Sequence, residues 1–219
     1  MNLGIYCAGG FGKEVFDVAI RDNFVNNKWN KIFFIDDFLE DESHCYLSKV
    51  YSLSTVEKLF SVDSVEIVIA SGEPDLRKLL LDKIIKFGFK LGAVIDPSSI
   101  ISPTAKLGEG IIITSNCIVA SNAIVGENVA INVKSIVGHD IVISNNSVLS
   151  SMVNIGGGCI IGEGTYLGMA CLIREGIQIG DEVIIGMGSV VHNDIPSGMI
   201  ALGNPARPMR RNLDKRVFK

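Results

Sequence analysis

Residues 131–160 read INVKSI VGHDIV ISNNSV LSSMVN IGGGCI, and each of these five groups of six begins with Ile, Val or Leu. The same spacing of six continues on both sides, from Ile101 to Val191. All sixteen positions in this phase are Ile, Leu or Val, although these types make up only 33 of the 91 residues in the stretch. Random placement would fill about six of the sixteen, so the spacing is a structural repeat.

A period of six differs from that of an α-helix (3.6) and that of a simple alternating strand (2). It is typical of short strands joined by tight turns, each of which contributes one aliphatic side chain to a shared interior. Gly often follows the aliphatic residue and tolerates the backbone that a corner requires. Small side chains, including Cys117, Cys159 and Cys171, come two residues before it and are expected to fill small buried slots. The repeat predicts an all-β, left-handed parallel β-helix with three hexads per coil.

The first 94 residues follow another pattern, in which short apolar strands alternate with helices. The predicted strands are Leu3–Tyr6, Ile32–Ile35 and Val65–Ala70, and the predicted helices are Lys13–Arg21 and Pro74–Phe87. Residues 37–54 are polar and irregular, which predicts a loop or hairpin. We therefore predict a small Rossmann-like α/β domain at residues 1–94, and a β-helix domain with a C-terminal extension at residues 95–219.

A glycine-rich loop, Cys7-Ala8-Gly9-Gly10-Phe11-Gly12, separates the first predicted strand from the first helix. Such a loop brings backbone amides and a helix N-terminus close to a diphosphate. Asp36 and Asp37, after the second strand, can accept hydrogen bonds from a ribose or a base. A nucleotide sugar is favoured over NAD, because Cys7 replaces the first glycine of the dinucleotide motif and the unit is short. A purely structural turn stays open as the third interpretation.

Composition narrows the class of protein. The formal net charge is −4, and Lys and Arg do not cluster before Arg207, Arg210 and Arg211, which argues against nucleic acid as a partner. Five cysteines without a C-x-x-C pair suit a reducing, cytoplasmic compartment. The N-terminal segment does not have the pattern of a signal peptide, and short apolar stretches such as Ile111–Ile113 predict no membrane span.

Metal binding is not expected. The three histidines are His44, His139 and His192, and the first lies outside the repeat, which argues against the three-histidine zinc site of β-helical carbonic anhydrases. We expect His192, at the end of the repeat, to be a surface residue.

Four features occur in a fixed order: a Gly-rich sheet domain, the hexapeptide repeat, Val137-Gly138-His139-Asp140 within it, and Gly203-Asn204-Pro205-Ala206-Arg207. Over essentially the whole chain, this arrangement resembles the bacterial nucleotide-aminosugar N-acetyltransferases and the related sialic acid O-acetyltransferases. The resemblance implies acetyl-CoA as the co-substrate, a nucleotide-linked amino sugar as the acceptor, and a homotrimer with active sites between neighbouring β-helices.

The resemblance also implies roles for single residues. His139 corresponds to the general base, Asp140 to the acidic residue that orients it, and Gly157 to the amide that binds the thioester oxygen. The nucleotide-sugar site would contain Gly9, Gly10, Phe11, Gly12, Asp36, Asp37, Gly72 and Asn132. The acetyl-CoA site would contain Gly157, Gly168, Gly186, Met187 and Gly188. Among the C-terminal basic residues, Arg207 or Arg210 can meet the 3′-phosphate of CoA, and a solvated charged tail is the alternative interpretation.

Two positions depart from the family pattern. Phe11 stands where members commonly have His in the glycine loop, and Val148 stands where a second His often follows the base by nine residues. Neither changes His139, whose type suits proton transfer at neutral pH because the unperturbed pKa of His is about 6.5. The favoured function is N-acetylation of a 4-amino-4,6-dideoxyhexose linked to a nucleotide. Sugar O-acetylation and a non-catalytic sugar-nucleotide-binding role are the alternatives.

Overall fold

The N-terminal part of the computed structural model, which describes residues 1–218, is a six-stranded sheet with helices on both faces. Its strands are β1 (Asn2–Tyr6), β2 (Ile32–Ile35), β3 (His44–Cys45), β4 (Ser48–Tyr51), β5 (Val65–Ile69) and β6 (Lys90–Leu91). Its helices are α1 (Gly10–Asn26), α2 (Leu53–Leu59) and α3 (Pro74–Lys86), and a 3₁₀ turn covers Val62–Ser64. The sheet order is β3-β4-β2-β1-β5-β6, and every pair is parallel except β3 with β4.

The polar stretch 37–54 contains more structure than its composition indicates. Strands β3 and β4 form the expected hairpin, but β4 also extends the parallel sheet, with Val50 paired to Phe34. Ser52 then starts α2, because its hydroxyl accepts a hydrogen bond from the Thr55 amide (3.2 Å). Val50 is fully buried, and this single apolar anchor among polar residues gave too weak a periodic signal to predict the strand.

The remainder of the chain is a parallel β-helix built from two-residue strands and closed by a longer hairpin. In chain order its strands are β7 (Val94–Ile95), β8 (Ile100–Ile101), β9 (Lys106–Leu107), β10 (Ile112–Ile113), β11 (Ile118–Val119), β12 (Ile124–Val125), β13 (Ala130–Ile131), β14 (Ile136–Val137), β15 (Val142–Ile143), β16 (Val148–Leu149), β17 (Asn154–Ile155), β18 (Ile160–Ile161), β19 (Tyr166–Leu167), β20 (Leu172–Ile173), β21 (Gln178–Ile179), β22 (Ile184–Ile185), β23 (Val190–Val191), β24 (Met199–Gly203) and β25 (Ala206–Arg211).

These strands form three sheets, which we call faces 1, 2 and 3. Face 1 contains β7, β10, β13, β16, β19, β22, β24 and β25; face 2 contains β8, β11, β14, β17, β20 and β23; face 3 contains β9, β12, β15, β18 and β21. Paired residues lie 18 positions apart, as in Val119 with Val137, so each coil consists of three hexads as predicted. The predicted fold class is confirmed.

The interior of the β-helix is filled by the aliphatic residues of the repeat, together with Cys117, Cys159 and Cys171, which are fully buried as predicted. The repeat begins one hexad earlier than its predicted start, because β7 is already part of face 1. The last full coil is followed by a shorter step, in which Ile184 pairs with Ile200. The hairpin β24–β25 then ends the stack.

The α/β domain packs against face 1. The outward side chains of Val94, Ile112, Ala130, Val148 and Tyr166 are buried in one cluster with α1 and the sheet of the N-terminal domain. The predicted domain boundary between residues 94 and 95 falls inside β7, the first strand of this face. No helix within residues 1–218 is long and apolar enough to cross a lipid bilayer.

Candidate active site

His139 lies in the turn between β14 and β15, on the edge of the β-helix that joins faces 2 and 3. Its side chain is 70% exposed, and its Nδ1 atom lies 2.7 Å from Oδ2 of Asp140. Asp140 has a left-handed backbone (φ 56) at this corner, where its amide donates to the Ser121 carbonyl of the preceding coil (2.9 Å). The prediction that this corner presents His139 to the outside agrees with its exposure.

The second carboxylate oxygen of Asp140 is also engaged. The Asn122 carboxamide donates a hydrogen bond of 3.0 Å to Oδ1. The hydrogen bonds from Asn122 and His139 lower the pKa of Asp140, so its carboxylate is ionised at neutral pH. An ionised partner favours the His139 tautomer that carries its proton on Nδ1, which leaves Nε2 free to accept a proton. Sequence reasoning missed Asn122. The signal that could have found it is its spacing of 18 residues from Asp140, which is the length of one coil.

Gly157 lies one coil after His139 on the same edge. A Cβ atom built on Gly157 would lie 2.5 Å from Cε1 and 2.6 Å from Nε2 of His139, so the imidazole rests directly on this glycine. Among residues 1–218, the Gly157 amide donates no hydrogen bond, whereas the amides of Gly156 and Gly158 donate to carbonyls of adjacent coils (both 2.9 Å). An amide without a partner beside the imidazole is the arrangement that an oxyanion would require.

The glycine loop lies at the carboxyl end of β1. The first backbone hydrogen bond of α1 runs from the Lys13 amide to the Gly9 carbonyl (3.1 Å), and no side chain caps this end. The amides of Gly10, Phe11 and Gly12 therefore lack partners within the helix. Added Cβ atoms at Gly9 and Gly10 would meet no atom within 4 Å, so the loop is open on that side. These features suit an anion.

Two other residues fix the shape of this loop. Cys7 adopts a left-handed conformation (φ 79), which glycine adopts most readily, at the place where the dinucleotide motif has its first glycine. Gly12 approaches the Cys7 carbonyl so closely that a Cβ would lie 2.0 Å from its oxygen. Phe11 is half-buried and packs against the cluster between the domain and face 1.

Asp36 and Asp37 lie beside the loop, at the carboxyl end of β2. Asp36 accepts hydrogen bonds from the amides of Ala8 and Phe38 (both 3.1 Å), so it holds the glycine loop in place. Asp37 forms an ion pair with Lys83. It also accepts hydrogen bonds from the Tyr6 hydroxyl and from the Leu53 amide (3.0 Å for the latter). Both carboxylates thus have partners inside the domain.

Gly72 follows β5 and completes the carboxyl edge of the sheet. Its loop is anchored by Arg77, a fully buried side chain that donates to the carbonyls of Ser71 (3.1 Å) and Asn128 (2.8 Å). Burial lowers the pKa of Arg77 to about 9. The ring of Phe218 lies against Gly72, close to the place where a Cβ would project.

The residues expected to bind acetyl-CoA lie on a different edge of the same β-helix. Gly168, Gly186, Met187 and Gly188 occupy turns between faces 1 and 2, and Met187 is exposed. Arg207, on β25, is exposed as well. Gly157, also expected to contact acetyl-CoA, is the one member of this set that lies beside His139.

Asn132 lies on the edge between faces 1 and 2 too. Its carboxamide oxygen is buried and has no hydrogen-bond partner within residues 1–218. Val148 is buried between face 1 and the N-terminal domain, so its side chain does not face the His139 corner. His192 is exposed, as predicted.

The three-sided shape of the β-helix separates two halves of the predicted site. The N-terminal domain covers face 1, whereas His139 lies on the edge between faces 2 and 3, which is opposite face 1. A single chain therefore does not bring its own glycine loop and its own His139 together. Within residues 1–218, no group of three or more His, Cys, Asp or Glu side chains is arranged to hold a metal ion.

Comparison with known proteins agrees with this architecture. Residues 2–84 match the family model of the PglD N-terminal domain, and residues 158–193 match that of the bacterial transferase hexapeptide (six repeats). A search of curated proteins finds no match.

Solved structures similar to this chain include the acetyltransferase domain of PglB from Neisseria gonorrhoeae (27% identity, 95% of this chain and 99% of that chain, TM-score 0.87). WeeI from Acinetobacter baumannii is 29% identical over 95% of this chain and 100% of that chain (TM-score 0.86). A His-to-Asn variant of perosamine N-acetyltransferase from Caulobacter crescentus, solved with CoA and GDP-perosamine, is 25% identical over 96% and 97% (TM-score 0.87). These likenesses confirm the family resemblance found in the sequence.

Proposed function

We propose that this hexapeptide-repeat acyltransferase with a PglD-type N-terminal domain transfers the acetyl group of acetyl-CoA to the amine of a nucleotide-linked amino sugar. The observation that carries the proposal is the His139–Asp140 pair seated over Gly157, whose amide is unpartnered among the described residues. The similarity to a perosamine N-acetyltransferase, solved with CoA and GDP-perosamine, supports an amino sugar as the acceptor. We favour a 4-amino-4,6-dideoxyhexose.

In this reaction the sugar amine attacks the thioester carbon, and a nitrogen–carbon bond forms while the oxygen becomes an oxyanion. His139 accepts the amine proton at Nε2, because Asp140 engages Nδ1. The Gly157 amide donates to the oxyanion, a contact typically worth about 10²–10³ in rate. When the carbon–sulfur bond breaks, the imidazolium returns the proton to the leaving CoA sulfur. Acetyl-CoA supplies the acyl group.

We place the nucleotide sugar on the N-terminal domain. Its diphosphate would bind the free amides at the start of α1, where Gly9 and Gly10 leave open space. Asp36 holds the loop for this contact through the Ala8 amide. The partners of Asp37 inside the domain favour a supporting role for that residue, with Gly72 at the next strand end.

We also propose that the active form is a homotrimer. The nucleotide-sugar loop and His139 of one chain lie on opposite sides of its β-helix, so a second copy must complete each site. The outer surfaces of the two faces that meet at the His139 edge carry exposed aliphatic side chains, which are typical of an interface: Ile100, Ile118, Ile136 and Leu172 on face 2, and Ile124, Val142 and Ile160 on face 3.

In such a trimer, acetyl-CoA would lie in the groove between two β-helices. Gly157 would come from the edge that carries His139, and Gly168, Gly186, Met187 and Gly188 would come from the other edge of the neighbouring copy. Arg207, or Arg210, would meet the 3′-phosphate. The free thiols and the use of acetyl-CoA fit the cytoplasm.

The test is a panel of UDP-, dTDP- and GDP-linked 4-amino-4,6-dideoxyhexoses, each incubated with acetyl-CoA while release of free thiol is measured. The matched control is each sugar with a hydroxyl in place of the amine. We expect release with at least one amine and little with its hydroxyl counterpart. Release with hydroxyl sugars alone would favour O-acetylation, and binding without release would favour a non-catalytic role; either outcome contradicts the proposal.

A further inference from the structure

Asn122 occupies the position of Asp140 one coil earlier in the β-helix. The two residues are 18 positions apart, and both have left-handed backbones (φ 58 and 56) at corners between faces 2 and 3. This stacking brings the Asn122 carboxamide nitrogen to 3.0 Å from Oδ1 of Asp140, while Oδ2 of Asp140 lies 2.7 Å from Nδ1 of His139. Each carboxylate oxygen therefore has its own partner.

The contact with Asn122 restrains a carboxylate that would otherwise rotate. Asp140 is 57% exposed, and an exposed carboxylate with a single partner can turn about its terminal bond. With one oxygen held by Asn122, the other stays directed at His139.

We propose that Asn122 is a positioning residue for the general base: through Asp140 it fixes the tautomer and the ring plane of His139 above Gly157. The inference rests on the proposed function, in which His139 accepts the proton. Three consecutive coils then contribute to one catalytic group: Asn122 from the first, His139 with Asp140 from the second, and Gly157 from the third. A hydrogen bond of this kind is worth about two- to tenfold in rate if it acts only on the base.

An Asn at this corner also has a purely conformational explanation, which the experiment must separate from positioning. Asn tolerates the left-handed conformation, and Asn116 has the same backbone (φ 57) on another edge of the β-helix. Asn116 is exposed, and its side chain makes no hydrogen bond within residues 1–218. Replacement of either residue by Gly keeps the left-handed backbone accessible and removes only the side chain. Asn116→Gly is therefore the matched control for Asn122→Gly.

The experiment measures kcat and KM for both substrates at saturating co-substrate. Asn122→Gly should lower kcat about two- to tenfold and change either KM less than about twofold, whereas Asn116→Gly should match the wild type. Asn122→Asp keeps the size of the side chain but removes the donor and adds a negative charge beside Asp140, so its loss should be at least as large. Thermal unfolding of each variant checks that the fold is retained.

Transfer of both Asn changes into a His139→Ala background separates positioning from a structural effect. If Asn122 acts through the imidazole, Asn122→Gly should cause no further loss of the residual rate in that background. A wild-type kcat for Asn122→Gly, or a loss that persists without His139, would overturn the inference. A His139→Ala enzyme that keeps most of its activity would instead contradict the proposed base itself, so the two failures are distinguishable.

Discussion

At the scale of single residues, the site depends on contacts between successive coils. Gly157 shows this most directly, because its missing side chain leaves the space in which the His139 imidazole rests. The sequence predicted an amide function for Gly157, and its amide has no partner within residues 1–218. The structure adds a steric requirement that is independent of the amide. A substitution at position 157 keeps the backbone amide, but its side chain would occupy the space in which the imidazole lies.

Gly157→Ala separates these two requirements. A methyl group 2.5 Å from Cε1 must push the ring away by about 1 Å to reach ordinary van der Waals distance, and a misplacement of that size can cost about 10²-fold in rate. We expect kcat to fall by about one to two orders of magnitude while the affinity for the nucleotide sugar is kept. Isothermal titration with the nucleotide sugar and steady-state kinetics provide the two measurements.

The control is Gly158→Asn. Gly158 has a left-handed backbone (φ 69) that Asn tolerates, and a Cβ there would meet no atom within 4 Å. This variant should stay within about threefold of the wild type. Equal rates for Gly157→Ala and the wild type would mean that the contact seen here does not position His139.

Residues in this site differ in how readily the sequence reveals them. His139 and Asp140 could be named as candidates from the sequence, because the motif Val137-Gly138-His139-Asp140 within a hexapeptide repeat resembles that of an acyltransferase family. Asn122 was not predicted, because its role arises from an 18-residue register that brings together two positions far apart in sequence. The internal partners of Asp36 and Asp37 were equally hidden, since a sequence shows carboxylates but not the amides that approach them.

At the scale of elements, helix α1 is fastened to the start of the β-helix by a buried carboxylate. Asp96, directly after β7, is 2% exposed and accepts hydrogen bonds from Ser98, Ser115 and Arg21 of α1. Burial alone would raise the pKa of Asp96, but these donors outweigh it and lower the pKa to about 2. This contact is one of those that join the N-terminal domain to the β-helix, together with the apolar cluster on face 1.

We expect Asp96→Asn to lower the free energy of unfolding by about 1–3 kcal/mol at pH 7, because it removes the charge that Arg21 faces. In the unfolded chain the pKa of the Asp96 carboxyl is near 3.9. Ionised Asp96 therefore stabilises the fold above about pH 4, and this contribution is lost as the pH falls towards 2. The difference between wild type and variant should therefore shrink between pH 4 and pH 2 in urea unfolding curves.

Asp63→Asn is the control, because the Asp63–Lys90 pair is highly exposed (3.3 Å) and should change stability by less than about 0.5 kcal/mol. If Asp96→Asn were as mild as this control at pH 7, the buried contact would not fasten the domain.

Elements of the two domains were predictable to different extents. The β-helix followed from its period of six, because each coil repeats the same requirement for a buried aliphatic residue. Strand β4 and helix α2 were missed, since a four-residue strand with one fully buried side chain, Val50, leaves no period to detect. The packing of the domain on face 1 was also not predicted. The outward residues of that face are not distinguished in sequence from the outward residues of the other two faces.

At the scale of the whole molecule, the central feature is the separation of the glycine loop, Cys7–Gly12, from His139. One chain carries the loop on the side of face 1 and the imidazole on the opposite edge. The proposed site, shared between copies, would bring the loop of one copy to His139 of another. The neighbouring copies would also cover the exposed aliphatic side chains of faces 2 and 3. Sedimentation at micromolar concentration should show a trimer.

Complementation tests the shared site. Gly10→Glu places a negative charge in open space where the diphosphate would bind, and His139→Ala removes the base. Gly10→Glu alone should be inactive, and His139→Ala alone should keep at most about 1% of the wild-type rate. After unfolding and joint refolding in equal amounts, about a quarter of the sites should combine an intact loop from one copy with an intact His139 from another. Activity near a quarter of the wild type is expected, and activity no higher than that of the parents would contradict a shared site.

The most direct test of the account is kcat for His139→Ala with the amino-sugar substrate identified by the panel. A general base of this kind contributes about 10²–10⁴ to the rate, so we expect a loss of that size. Substrate affinities and thermal stability should change little, because the exposed imidazole lies outside the aliphatic interior. A kcat above about a third of the wild-type value would contradict the assignment of His139 as the base.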